Sequence, residues 1–149
     1  QAGVRIGDQF WEQLCKEHSI SSWGHAELDN LTTIQPLQSL LNSPSTLSIN
    51  NDSFFEQIRE DRFVPRSIML DTDKYSIEEL STTKRVDLYH PKRLISSNQD
   101  ASSVFARAKN LGKPLIEETL NQSRKMIEEC DYFDGFLLTR SLSGGTGSG

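Results

Sequence analysis

The chain has 149 residues, 35% hydrophobic and 25% charged, with a formal net charge of −5. This composition is globular rather than disordered, and the length allows one ordinary domain. A net negative charge argues against nucleic acid as a partner, since that binding needs a basic face. No apolar run approaches the roughly 20 residues of a membrane helix, so no membrane partner is expected.

Cys15 and Cys130 lie far apart without CxxC spacing and read as free thiols of a reducing compartment. His18, His25 and His90 are scattered, with no zinc-ligand spacing. No signal peptide is read at the start. The chain opens without Met on a helical pattern and stops in glycines, so both ends look cut and a fragment of a longer chain is expected.

In "VRIGDQFWEQLCKEHSI", Ile6, Phe10 and Leu14 recur every four residues, flanked by Val4, Trp11 and Cys15, which predicts an amphipathic core-facing helix. Residues 21–63 are rich in Ser, Asn and Thr and hold Pro36 and Pro44. They are expected to form a long surface loop within one domain spanning 1–149, with parts of it packed down by Leu28, Leu31, Leu37, Leu40 and Leu41. "DSFFEQIRE" predicts a short helix, Ser53 and Glu56 being spaced as a capping box.

"VPRSIMLD" predicts a buried strand over Ile68 to Leu70, whose carboxyl end carries Asp71 and Asp73. "YSIEEL" suits a brief helix, and a second strand is expected around Leu94 and Ile95. The longest helical pattern runs from about Ser103 to Cys130, with Val104, Ala108, Leu111, Leu115, Leu120, Ile127 and Cys130 along one face. Pro114 lacks a donor and clashes with the preceding turn, which predicts a kink or break. "DGFLLTRSL" predicts a last strand with Phe136 to Leu138 buried. Strands alternating with helices point to an α/β fold with a Rossmann-like, mainly parallel sheet and flanking helices.

In open α/β sheets ligands bind beyond the carboxyl ends of the strands. Three segments reach that edge: "LDTD" with two carboxylates, "SSNQDA" with Asp100, and "SGGTGSG" with bare backbone. A glycine-rich turn after a buried strand can aim several N–H groups at one anion. Thr146 and Ser148 could add hydroxyl donors, and a carboxylate such as Asp73 could hold Mg²⁺ through water. Plainer readings stand beside these. GGTGSG could be a linker, Asp71 and Asp73 helix caps or solvated turns, and Asp100 a helix cap. No nucleophile adjoins a base, and neither GxxxxGK[ST] nor GxGxxG after the first strand is present.

Four stretches, in order and in register, resemble the tubulin family in its α form. "GGTGSG" is similar to the family's phosphate loop GGGTGSG, and "QAGVRIGDQFWEQLCKEHSI" to its first helix. "FVPRSIMLDTD" is similar to VPRAVFVDLEP, and "YHPKRLISSNQDASSVFAR" to FHPEQLITGKEDAANNYAR. The resemblance implies the amino-terminal, incomplete part of a tubulin/FtsZ-like GTP-binding domain. It implies a microtubule subunit that pairs with a β-tubulin-like partner and neighbouring lattice subunits in the cytoplasmic cytoskeleton.

Carried over by position, Gln1 and Ala2 match the first nucleotide loop, and Asp71 matches an aspartate of the second. Asp73 matches the acidic residue near the γ-phosphate and Mg²⁺, making it the expected metal contact. Asp100, Ala101 and Ser103 match the third loop, and Ser141, Gly144, Gly145, Thr146 and Gly147 the glycine loop. The implied cofactors are GTP and Mg²⁺. Family GTP hydrolysis arises at the contact between subunits, and the loop supplying its acidic residue is absent from this chain, so no catalytic residue is assigned.

The departures from the family define an alternative: a degenerate relative that binds partners without GTP. Ser143 replaces the first loop glycine and would cost about 1 kcal/mol if that position needs positive φ. Ser103 replaces an asparagine, Pro114 enters the long helix, and residues 21–63 contain no lysine. A strand implied before Gln1 and others after the loop would leave the isolated fragment marginally stable.

Overall fold

A computed structural model of the chain describes residues 1–26, 53–82, 85 and 87–149. Helix α1 spans Ala2–Glu17 and a hairpin follows of strands β1, Phe55–Arg59, and β2, Arg62–Pro65. Strand β3, Met69–Asp71, leads into α2, Lys74–Thr82. A 3₁₀ turn at Pro91–Arg93 precedes β4, Leu94–Ser96, and α3 spans Phe105–Glu128. The five leucines read as packing down the long loop lie outside the described residues.

Strands β3 and β4 pair in parallel, Met69 with Leu94, Leu70 with Ile95 and Asp71 with Ser96. All three helices pack against this pair. The fold is α/β with a small parallel sheet and flanking helices. The core gathers Val4, Trp11, Leu14 and Cys15 of α1 with Ile20, Phe55, Met69, Ile77, Leu80, Leu88 and Tyr89. Trp11 meets Phe55 edge-on at 5.5 Å, the arrangement aromatic quadrupoles favour.

The phase of α1 differs from the expected stripe. Its buried residues are Val4, Gly7, Asp8, Trp11, Leu14 and Cys15, while Ile6 is 55% and Phe10 37% exposed. The true face runs 4, 7/8, 11, 14/15, and two of its positions are not apolar. Gly7 lets the helix sit on β3, where a Cβ would lie 3.2 Å from Met69 Cε.

"DSFFEQIRE" is not a helix. Phe55 to Arg59 pair antiparallel with Arg62 to Pro65, and the register shifts between Gln57 and Arg59. The reason is tertiary. Phe55 enters the core fully buried, and Glu56 accepts from the buried Arg93 guanidinium at 2.6 Å. Both ends of the expected loop are anchored on this hairpin. His25 bridges Arg62, and the Phe63 N–H donates to the Gly24 carbonyl at 2.7 Å.

Pro114 does not break α3, which is helical throughout Phe105–Glu128. Burial holds it: Ala108, Gln122 and Met126 are buried and Leu111, Leu115 and Thr119 half-buried along one stripe. Val104 and Leu120, read as core-facing, are 50% and 64% exposed. Phe136, Leu137 and Leu138 are not a buried strand either. They have no regular structure and are 64%, 77% and 78% exposed. A strand persists only where its N–H and C=O groups find a neighbouring ladder, and among the described residues none pairs with this run.

A candidate phosphate-binding cavity

Parallel pairing brings the carboxyl ends of β3 and β4 to one edge of the sheet. The loops leaving them stay together, since Asp73 bridges Asn98 and the Ser97 N–H donates to the Asp71 carbonyl at 3.3 Å. The start of α1 and residues 138–147 close the other sides. The result is a cavity of about 600 Å³, within the range of small-ligand sites.

All twelve residues carried over by the resemblance line it: Gln1, Ala2, Asp71, Asp73, Asp100, Ala101, Ser103, Ser141, Gly144, Gly145, Thr146 and Gly147. Ser148, also expected as a hydroxyl donor, is not among the lining residues and instead donates to the Gly144 carbonyl. The twelve come from four segments distant in sequence.

Asp71 is the hub that joins three of them. It is 2% exposed. Its Oδ2 pairs with the Gln1 backbone nitrogen, and its Oδ1 accepts from Thr146 Oγ1 at 2.9 Å and the Asp73 N–H at 3.2 Å. Thr146 Oγ1 also lies 2.6 Å from Thr72 Oγ1. The single hydroxyl proton of Thr146 goes to the carboxylate, so Thr72 donates to Thr146. Asp71 therefore ties β3 to α1 and to the glycine loop.

Asp73 does act as a helix cap. Its Oδ1 accepts from the Tyr75 N–H at 3.0 Å and its Oδ2 from Ser76 Oγ at 3.2 Å, at the start of α2. Each carboxylate oxygen keeps a further lone pair, and the residue lines the cavity. Asp100 is not a cap. It is exposed and receives only a 3.5 Å contact from Ser102 Oγ, while α3 starts after Val104 without a side-chain cap.

The loop glycines serve different ends. Gly144 has φ of 91°, a backbone that favours glycine. At Gly145 a Cβ would lie 2.8 Å from the Ala101 Cβ, and at Gly147 2.8 Å from the Ser141 carbonyl oxygen, so close packing decides both. Ser143 is not among the positive-φ residues, so the expected strain does not arise there. Its N–H donates to Ser141 Oγ at 3.2 Å, and that hydroxyl donates back to the Ser143 carbonyl at 2.8 Å. The left-handed serines are Ser19, Ser102 and Ser103, with φ of 53°, 50° and 58°, and of these Ser103 lines the cavity.

The loop ends in a hydrogen-bonded turn. The Gly149 N–H donates to the Gly145 carbonyl at 2.9 Å, and Ser148 Oγ to the Gly144 carbonyl at 2.6 Å. Among the described residues none accepts from the N–H groups of Gly144, Gly145, Thr146 and Gly147. The first N–H groups of α1, at Ala2, Gly3 and Val4, also border the cavity and lack a side-chain cap. Two sets of unpaired backbone donors thus converge on one space, as an anion requires.

Sequence reasoning missed Thr72, Ser76 and Arg140. Thr72 is 1% exposed and acts only through Thr146. Arg140 lines the cavity, and its Nη1 donates to the Gly147 carbonyl at 3.3 Å. It directly precedes Ser141, but no strand alternation reveals where its side chain points.

The chain matches the Tubulin/FtsZ family, GTPase domain, over residues 1–149. It is 37% identical over 149 residues to the tubulin alpha chain of Entamoeba histolytica, covering 100% of this chain and 31% of that one. It is 39% identical over 150 residues to the tubulin alpha chain of Encephalitozoon cuniculi, with 100% and 31% covered. It is 37% identical over 150 residues to human tubulin alpha chain-like 3, with 100% and 32% covered. The chain thus spans about a third of the length of the curated relatives it matches. A loop of unpaired glycine amides at the carboxyl edge of a parallel sheet, found within a match that runs from end to end, makes this chain a member of the Tubulin/FtsZ family.

Proposed function

We propose that this chain is the phosphate-holding part of an α-tubulin-type subunit that binds GTP and assembles head to tail with a β-tubulin-like partner into cytoplasmic microtubules. The observation that carries the reading is the set of unpaired N–H groups at Gly144 to Gly147, facing a cavity that Gln1, Asp71 and Asp100 also line. These amides would cradle the phosphates, with Ala101 and Gly145 packed tightly enough to fix the loop. Asp73 fits a magnesium contact: its carboxylate lines the cavity and keeps free lone pairs beyond its capping bonds. Mg²⁺ takes one or two carboxylates, substrate phosphates and several waters. Among the described residues no cluster of three or more His, Cys, Asp or Glu could hold a metal, so phosphate oxygens would have to complete the site. When bound, the ion would offset phosphate charge beside Asp71, Asp73 and Asp100. We assign no catalytic residue to this chain.

The test is direct. The full-length protein is purified, denatured, and its released nucleotide resolved by ion exchange. One GTP per chain is expected, and an empty trace would sink the reading in favour of a relative that binds partners alone.

A further inference from the structure

We propose that Arg140 is a phosphate-contacting residue of this cavity, the side chain that binds the anionic chain of the nucleotide alongside the loop amides. The proposal rests on the phosphate-site reading above. Arg140 is the one Lys or Arg among the described residues lining the cavity, where Asp71, Asp73 and Asp100 bring three carboxylates. A polyphosphate entering this space meets like charge from all three, so a cation at the same wall changes the balance decisively.

The guanidinium is held where such a contact would form. Its Nη1 donates to the carbonyl of Gly147 at 3.3 Å, inside the loop whose N–H groups are unpaired. Arginine has five N–H donors in a planar fork, and this bond uses one. Among the described residues no carboxylate pairs with Arg140. Of the three carboxylates, Asp71 is bound from three directions and Asp73 caps α2, while Asp100 is exposed and forms no ion pair with Arg140. Arg140 is left as a tethered, unneutralised fork in an anion site, the geometry that suits bidentate phosphate binding.

The test uses the full-length protein stripped of nucleotide, with radiolabelled GTP, GDP and guanosine as probes at fixed Mg²⁺. Arg140→Gln is expected to weaken GTP binding about 10- to 100-fold, the range of a charged hydrogen bond. GDP should lose less, guanosine nothing, and Arg140→Lys should recover part of the GTP loss. Thermal unfolding of the nucleotide-free variants should match the parent. Equal losses for GTP and guanosine, or an unchanged GTP affinity in Arg140→Gln, would overturn the assignment and leave the phosphate site standing. Failure of the unsubstituted protein to bind GTP would overturn both.

Discussion

Two buried aspartates differ in what surrounds them, and the difference separates scaffold from site. Asp8, on α1, accepts from Arg85 Nε at 3.1 Å and from the Tyr89 hydroxyl at 2.8 Å. Arg85 reaches on to Glu12 at 3.1 Å. Every member of that network has a partner, and the network stitches α1 to the segment before β4. Asp71 is buried as deeply, yet the groups it holds, Thr146 and the start of α1, border open space where backbone donors remain unpaired. Closed networks specify a fold, whereas unpaired donors on a rigid frame are available to a ligand.

The largest expected effect tests this contrast at its centre. Asp8→Ala leaves the Tyr89 hydroxyl and most of Arg85 without their carboxylate, and breaking such a buried pair costs about 3 kcal/mol. Denaturant unfolding of the full-length protein reads this loss, while nucleotide per folded chain should stay at the parental level. Asp71→Ala should also destabilise, but it unties Thr146 and should strip the nucleotide as well. If both variants lost nucleotide alike, the division between the two regions would fail.

Gly145→Ala acts on the open side alone. The new methyl would stand 2.8 Å from the Ala101 Cβ and 3.3 Å from the Ser103 Cα. Overpacking of this kind costs about 1–3 kcal/mol, and here it displaces the loop. GTP affinity should fall about tenfold or more, while the unfolding free energy should drop by no more than that overpacking cost, since the core cluster around Trp11 and Phe55 is untouched.

The closed side should also show itself in alkali. Burial pushes the Cys15 thiol from 9.0 up to about 11, reinforced by Asp8 and Glu12 and opposed by Arg85. Burial, then the charge of Asp8, raises the Tyr89 hydroxyl too. Both groups keep a proton in the fold that the unfolded chain releases at lower pH. The Cys15 contribution is complete below pH 9.0 and is lost as pH rises toward about 11, whereas the Tyr89 contribution begins to fall only above pH 10.0. Unfolding midpoints measured from pH 8 upward should therefore fall through that window, and Cys15→Ala should flatten part of the fall. A pH-independent midpoint would show that the region is looser than its burial implies.

What the sequence makes legible follows from how local each cause is. Apolar periodicity is local, so α1, α2, α3, β3 and β4 can be read, and the matched motifs name twelve residues that share one cavity. The phase of α1 cannot, because Asp8 and Gly7 lie on its buried face for partners far along the chain. The β1–β2 hairpin is hidden for a similar reason. Its turn at Glu60 and Asp61 carries no glycine, and Ser53 and Glu56 mimic a helix start. Phe136 to Leu138 fail in the opposite sense, since apolar character alone cannot supply a neighbouring strand. Thr72 and Arg140 owe their places to tertiary geometry and leave no pattern.

The smallest effect concerns the two serines that depart from the family's loops. Their conformations reverse the ranking that the glycine motif invites. Ser143 stands where the motif has glycine, yet it lies outside the left-handed region and is bonded to Ser141. Ser143→Gly should shift GTP affinity less than about twofold, and chain flexibility should make it slightly destabilising. Ser103, with φ of 58°, occupies a backbone that asparagine tolerates better than serine. Ser103→Asn should raise the melting temperature, by about 0.5 kcal/mol of stability from relieved backbone strain. It should also tighten the wall against which Gly145 packs. A gain in nucleotide binding from Ser143→Gly larger than that from Ser103→Asn would mean that the glycine loop adopts another backbone when its ligand is bound.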